Sequence, residues 1–197
     1  MNRQQYSVSP FTVFSSFWTM RNLIWQMTRR DVIGRYRGSV MGILWSLLNP
    51  ILMLTVYTFV FSVVFQARWG EGSVSKTEFA VILFVGMIIH ALFAECVNRA
   101  PSLILSNVNY VKKVVFPIEI LPWVAMGSAL FHTAISVLVL LVAFALVHSY
   151  LNWTVIFLPP LLIPLVLFTM GVTWFLASIG VFLRDVGQTT GIITTIM

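Results

Sequence analysis

The chain has 197 residues, of which 59% are hydrophobic and only 9% charged, with a formal net charge of +6 and a mean hydropathy of +0.94. A soluble domain carries about 25% charged residues, so this chain cannot cover itself with polar groups in water, and bulk lipid is its expected solvent. Its basic residues flank apolar stretches, which argues against nucleic-acid binding and for contact with anionic membrane surfaces.

Residues 1–38 read as a cytoplasmic N-terminal segment. Phe11, Phe14, Phe17, Trp18, Ile24 and Trp25 recur at mixed spacings and are interrupted by Arg21, Gln26, Arg29 and Arg30. The pattern predicts an amphipathic interface helix, aromatics at headgroup depth and arginines toward water. The segment ends in "RRDVIGRYR", five charges in nine residues, and no Asp, Glu, Lys or Arg follows over 38–67. That gap predicts a first span over 40–65, since a span needs about 20 apolar residues.

In this span Gly42, Ser46, Asn49, Met53 and Tyr57 share one narrow arc at helical periodicity. Leu44, Leu47, Leu48, Ile51 and Leu54 occupy much of the other side. Small and polar residues in lipid face protein or a water-filled path, and the arc fits helix packing and path lining equally. Pro50 lacks an amide donor, which predicts a bend near Asn49. Trp45, Tyr57 and Phe61 are the large aromatics named on this span, with interfacial anchoring or packing the stronger reading for Trp45.

A second span is predicted over 80–105. Glu95 and Arg99 stand four apart in the order that favours pairing on a helix, and are read as a structural ion pair. The main cytoplasmic loop, 107–122, sets Lys112 and Lys113 beside Val114, Val115 and Phe116. Residues 120–183 carry no Asp, Glu, Lys or Arg and hold two spans, 120–147 and 154–182, joined at the polar 148–153 stretch. The tail from Thr189 reads as the start of a fifth helix. It stops in mid-pattern at Met197, so the chain is expected to be C-terminally incomplete.

Ten of the twelve Lys and Arg residues fall on one side of this arrangement, with only Arg68 and Lys76 on the other. The positive-inside rule puts the ten in the cytoplasm, and the N-terminus with them. His90 and His132 stand alone in apolar helices and read as packing residues, not metal ligands. Cys96 is the lone cysteine, so no internal disulfide forms. The sequence has no Gly-rich phosphate loop, nucleophile elbow or metal cluster. Neither a catalytic residue nor a metal site is assigned, and any uphill transport would draw its energy from another chain.

Three stretches carry a resemblance: "RRDVIGRYRGSVMGILWSLLNPILMLTVYTFVF" through span one, "NVNYVKKVVFPIEILP" between spans two and three, and "FLRDVGQ" after span four. In this order they resemble the ABC-2 type permeases that export polysaccharides: the O-antigen (Wzm-like), capsule and teichoic-acid permeases. The resemblance covers the chain from about residue 29 to its end. It implies an all-α polytopic membrane bundle of six helices, of which this chain holds four and part of a fifth. The family's re-entrant segment between spans five and six would be absent. The division is then a cytoplasmic segment, 1–38, and a permease domain, 39–197.

The resemblance also implies a homodimer in the bacterial inner membrane with two separate ABC ATPase subunits, which bind ATP and Mg. No cofactor belongs to this chain. The implied cargo is a polysaccharide on an undecaprenyl-diphosphate lipid. Carried over by position, the ATPase contacts are Arg29, Arg30, Asp31, Arg35, Tyr36, Arg37, Tyr110, Lys112 and Lys113. Gly42, Ser46, Asn49, Met53, Tyr57 and Phe61 would line the path. Rival readings are an ABC-2 exporter of a small lipid or drug, a membrane-embedded enzyme acting on lipid-linked sugars, and an ion channel. The scattered acids count against the enzyme, and the lack of a charged ring or filter against the channel.

Overall fold

The structure, a computed structural model, describes residues 17–60, 76–108, 117–148 and 153–197, and no strand occurs among them. Six helices organise it: α1 (Arg21–Tyr36), α2 (Trp45–Phe59), α3 (Lys76–Arg99), α4 (Leu121–His148), α5 (Leu158–Gly180) and α6 (Val186–Ile196). Among the described residues four segments are long and apolar enough to cross a membrane: Gly42–Phe59, Val81–Ser106, Ile118–Leu146 and Val155–Gly180. They agree with the four predicted spans to within a few residues, except at the far end of span one. Its predicted last residues, Phe61 included, lie outside the described residues, as do Phe11, Phe14, Arg68 and the loop residues Tyr110, Lys112 and Lys113.

Prolines set the local breaks. Pro101 interrupts α3 with a tight turn, Ala100–Ser102, after which Leu103–Ser106 resumes the helix. Proline also opens α5, where its missing amide donor costs nothing. Pro50 and Pro164 sit inside α2 and α5, yet each helix continues through its proline.

The centre of the bundle is α3 against α4. Leu92 and Cys96 pack on Met126, Ala129 and, from α5, Met170. Further along, Phe84 and Ile88 meet Leu140, with Leu54 and Tyr57 of α2 against them. At the other end Ile24 and Met27 of α1 bury against Ile120, Leu121 and Val124. α6 is tied to α3 by two bonds: Thr194 Oγ1 donates to Asn98 Oδ1 at 2.9 Å, and the Thr194 carbonyl lies 3.0 Å from His90 Nε2.

The small and polar arc of span one divides. Ser46 is buried and Tyr57 half-buried, while Asn49 and Met53 are exposed on the single chain. Pro50 and Leu54 take the inward places beside them. The packed stripe is therefore rotated from the polar arc, because contact with Phe84, Ile88 and Leu140 orients α2. Asn49 then needs a hydrogen-bond partner from outside this chain's described residues, since an unpaired amide in hydrocarbon costs several kcal/mol, roughly 2–7.

α1 joins span one through a compact chain of turns. Ser39 N donates to the Tyr36 carbonyl, Gly42 N to that of Ser39, and Leu44 N to that of Met41. Gly38 (φ +90°) and Gly42 (φ +53°) take left-handed backbone angles, with open space where a Cβ would lie. Gly42 thus has a backbone reason for its place in the sequence. Gly38→Ala and Gly42→Ala are each expected to cost about 1–2 kcal/mol. Thermal unfolding in detergent micelles checks this, and a pair of unshifted transitions would refute it.

Candidate functional site

The most chemically dense region is where the end of α1 meets α3 and α4. α1 runs antiparallel to α3, and two i,i+4 pairs face each other across the contact. Arg99 Nη2 donates to Asp31 Oδ1 at 2.7 Å, and one turn further Arg35 Nη2 bonds to Glu95 Oε1. Arg99 Nη1 also lies 3.9 Å from Glu95 Oε1, so the expected Glu95–Arg99 pair is present as a secondary contact. The tight partner of Arg99 is Asp31 on another helix.

The network extends into α4. His132 Nδ1 lies 3.2 Å from Glu95 Oε2, and Tyr36 Oη lies 3.0 Å from His132 Nε2. With neutral His132, one tautomer satisfies both bonds: Nδ1–H donates to the carboxylate and Nε2 accepts from the Tyr36 hydroxyl. His132, and likewise His90 with its contact to the Thr194 carbonyl, is therefore a hydrogen-bonding residue and not the simple packing residue expected from sequence. Two arginines balance two carboxylates, which suits a site beside hydrocarbon, where unpaired charge is expensive.

Burial disfavours the Asp31 carboxylate, but its hydrogen bond to Arg99 and that residue's charge oppose this. With help from Ser128 and Arg35, they hold its pKa below the ordinary value. Burial, the largest influence on Tyr36, raises the pKa of its phenol. At neutral pH Asp31 is thus ionised and Tyr36 is a neutral hydroxyl.

Packing reinforces the charge contacts. Thr28 of α1 presses on Gly127 of α4 so closely that a Cβ there would lie 2.8 Å from Thr28 Oγ1. Asp31, Arg35 and Tyr36 are thus turned toward the bundle, while Arg29, Arg30 and Arg37 are exposed and line one outward groove of α1. The arginine run is thus divided between two helix faces, one paired into the bundle and one outward.

This arrangement can hold α1 to spans two and three as one body while presenting cationic side chains outward. A family model described as ABC-2 type transporter matches residues 22–197, nearly the whole chain. The chain belongs to the ABC-2 type transporter family. It is therefore a multi-pass membrane protein of a transport family. It is 30% identical over 165 residues to the O-antigen export system permease protein RfbA of Myxococcus xanthus, covering 84% of this chain and 61% of that protein. It is also 30% identical over 166 residues to a protein of the same name from Klebsiella pneumoniae, covering 83% and 61%. The chain thus spans about 61% of the length of these relatives. Within this ABC-2 chain, Asp31, Arg35, Glu95, Arg99, Tyr36 and His132 form a common cluster. The span-one residues Ser46, Asn49, Met53 and Tyr57 do not join it.

Proposed function

We propose that the chain is the transmembrane subunit of an ABC exporter that moves a lipid-linked polysaccharide from the cytoplasm across the bacterial inner membrane. The observation that carries this reading is the similarity of 84% of the chain to a protein named as an O-antigen export permease. Two copies of the chain would form the path, and two ATPase subunits would bind ATP and Mg and supply the energy. The charged head of the cargo needs a polar route through a region where exposed charge is costly. Asn49 and Met53, exposed on one chain, with Ser46 and Tyr57 and, outside the described residues, Phe61, are the side chains offered to that route.

In this reading α1 receives the motion of the ATPase. Arg30 and Arg37, with Tyr110, Lys112 and Lys113 of the loop, would meet the partner. Asp31, Arg35 and Tyr36 would pass the movement to spans two and three. Arg30→Glu with Arg37→Glu is expected to leave the protein folded and inserted while lowering polymer export at least tenfold, about 1.4 kcal/mol of coupling. Export of surface polymer by a strain carrying only the double variant measures this, and undiminished export at normal protein levels would sink the ATPase contact.

Orientation has its own test. A cysteine replacing Ser73 should react with an impermeant maleimide from the periplasm, and one replacing Asn109 should not. Cys96 is fully buried, so it should stay silent in the folded protein. The reverse pattern would overturn the cytoplasmic placement of the N-terminus.

A further inference from the structure

We infer that the flank of α1 opposite the Arg30 and Asp31 side binds an anionic glycerophospholipid of the cytoplasmic leaflet, as a fixed part of the fold. A cavity of about 810 Å³ lies there between α1, α4 and α5. That volume falls in the range of small-molecule sites, about 300–1,000 Å³. Trp123, Leu130 and Phe131 of α4, Val166 of α5 and Ile43, at the start of span one, form part of its wall. Phe17 and Trp25 of the N-terminal side line it as well.

Charge complementarity names the occupant. Arg21 and Arg29 both line the cavity, and among the described residues no Asp or Glu does. They stand eight residues apart on one side of α1, with Trp25 between them, 70% exposed. The Arg21 guanidinium lies 5.3 Å from the Trp18 ring centre, a cation–π contact that fixes its position beside that ring. An acyl chain along the aromatic wall, with its phosphate between the two arginines, uses every part of this surface. A neutral lipid would use only the wall. Unlike Arg35 and Arg99, neither arginine of this flank has a carboxylate bonded to it among the described residues.

The inference rests on the membrane placement and on the proposed cytoplasmic orientation of the N-terminus, not on the polysaccharide reading, so its test needs no transport. The full-length permease is purified from membranes, equilibrated with equal amounts of phosphatidylglycerol and phosphatidylcholine, and its retained lipids are counted by native mass spectrometry. The wild type should retain phosphatidylglycerol preferentially. One arginine near a charged lipid contributes about a fivefold preference, so Arg21→Gln with Arg29→Gln should lower the selectivity about twenty-five-fold. Arg21→Lys with Arg29→Lys should keep it, and Leu130→Trp should displace lipid of both kinds. Equal retention of the two lipids by the wild type would overturn the proposal, as would selectivity that survives the double glutamine variant. Displacement of the bound lipid by a polyprenyl diphosphate would assign the groove to cargo and overturn it too.

Discussion

Glu95→Leu should destabilise the protein by about 3 kcal/mol, the lower end of the cost of stranding one member of a buried ion pair. The lower end applies because the Arg35 side chain keeps about a third of its exposure, 32%, against 18% for Glu95. Glu95 is the hub of the cluster: it accepts from Arg35 and His132 and lies near Arg99. Its removal leaves Arg35 with only a 3.5 Å contact to His132 Nδ1. Arg35→Met is expected to cost less, since Glu95 keeps His132 and Arg99. Combining Glu95→Leu with Arg35→Met should recover most of the loss, because an ion pair replaced by apolar groups is often neutral. The three variants are compared by thermal unfolding monitored on a sizing column. A Glu95→Leu protein as stable as wild type would refute the clamp, and so would a double variant weaker than both singles.

The second large effect comes from Gly180 at the end of α5. A Cβ there would lie 2.3 Å from the Pro101 carbonyl oxygen and 2.5 Å from its Cα. These are backbone atoms of the turn that ends α3, so no rotamer change relieves the clash and one helix must move. Overpacking of this kind costs about 1–3 kcal/mol, and Gly180→Ala is placed at the top of that range or beyond it. Two other glycines serve as controls. Gly171, in the same helix, has open space around an added Cβ, so Gly171→Ala should be neutral or mildly stabilising. Gly127→Ala meets only the side chain of Thr28 and should fall between the two. A Gly180→Ala protein no weaker than Gly171→Ala would show that the contact between α5 and the Pro101 turn is not tight.

The cluster left a trace in the sequence that can be read once the pairing is known. Asp31 and Arg35 stand four apart in the order acid then base, as do Glu95 and Arg99. Two antiparallel helices with such pairs can join in two rungs, each acid meeting the base of the other helix, because both helices rise equally per residue. Taken one helix at a time, Glu95–Arg99 reads as a local pair and Asp31 and Arg35 as outward charges. His132 offered no such signal. A lone histidine in an apolar helix has the same sequence signature whether it packs or bonds.

The spans, their number and the position of α1 were set by the sequence itself. Lipid admits only long stretches without charge, and the helix satisfies every backbone group within one segment. Segment length and charge therefore decide where each span lies with no knowledge of its neighbours. Which face of each helix turns inward was decided by tertiary structure. α2 carries a polar arc and an apolar side, yet it is the fit of Leu54 and Tyr57 against Phe84, Ile88 and Leu140 that leaves Asn49 and Met53 exposed. In water the hydrophobic effect would have turned the apolar side inward and made the facing legible. Between helices in lipid that force is absent, and close packing, backbone approach at Gly180 and paired charges at Glu95 settle the orientation instead.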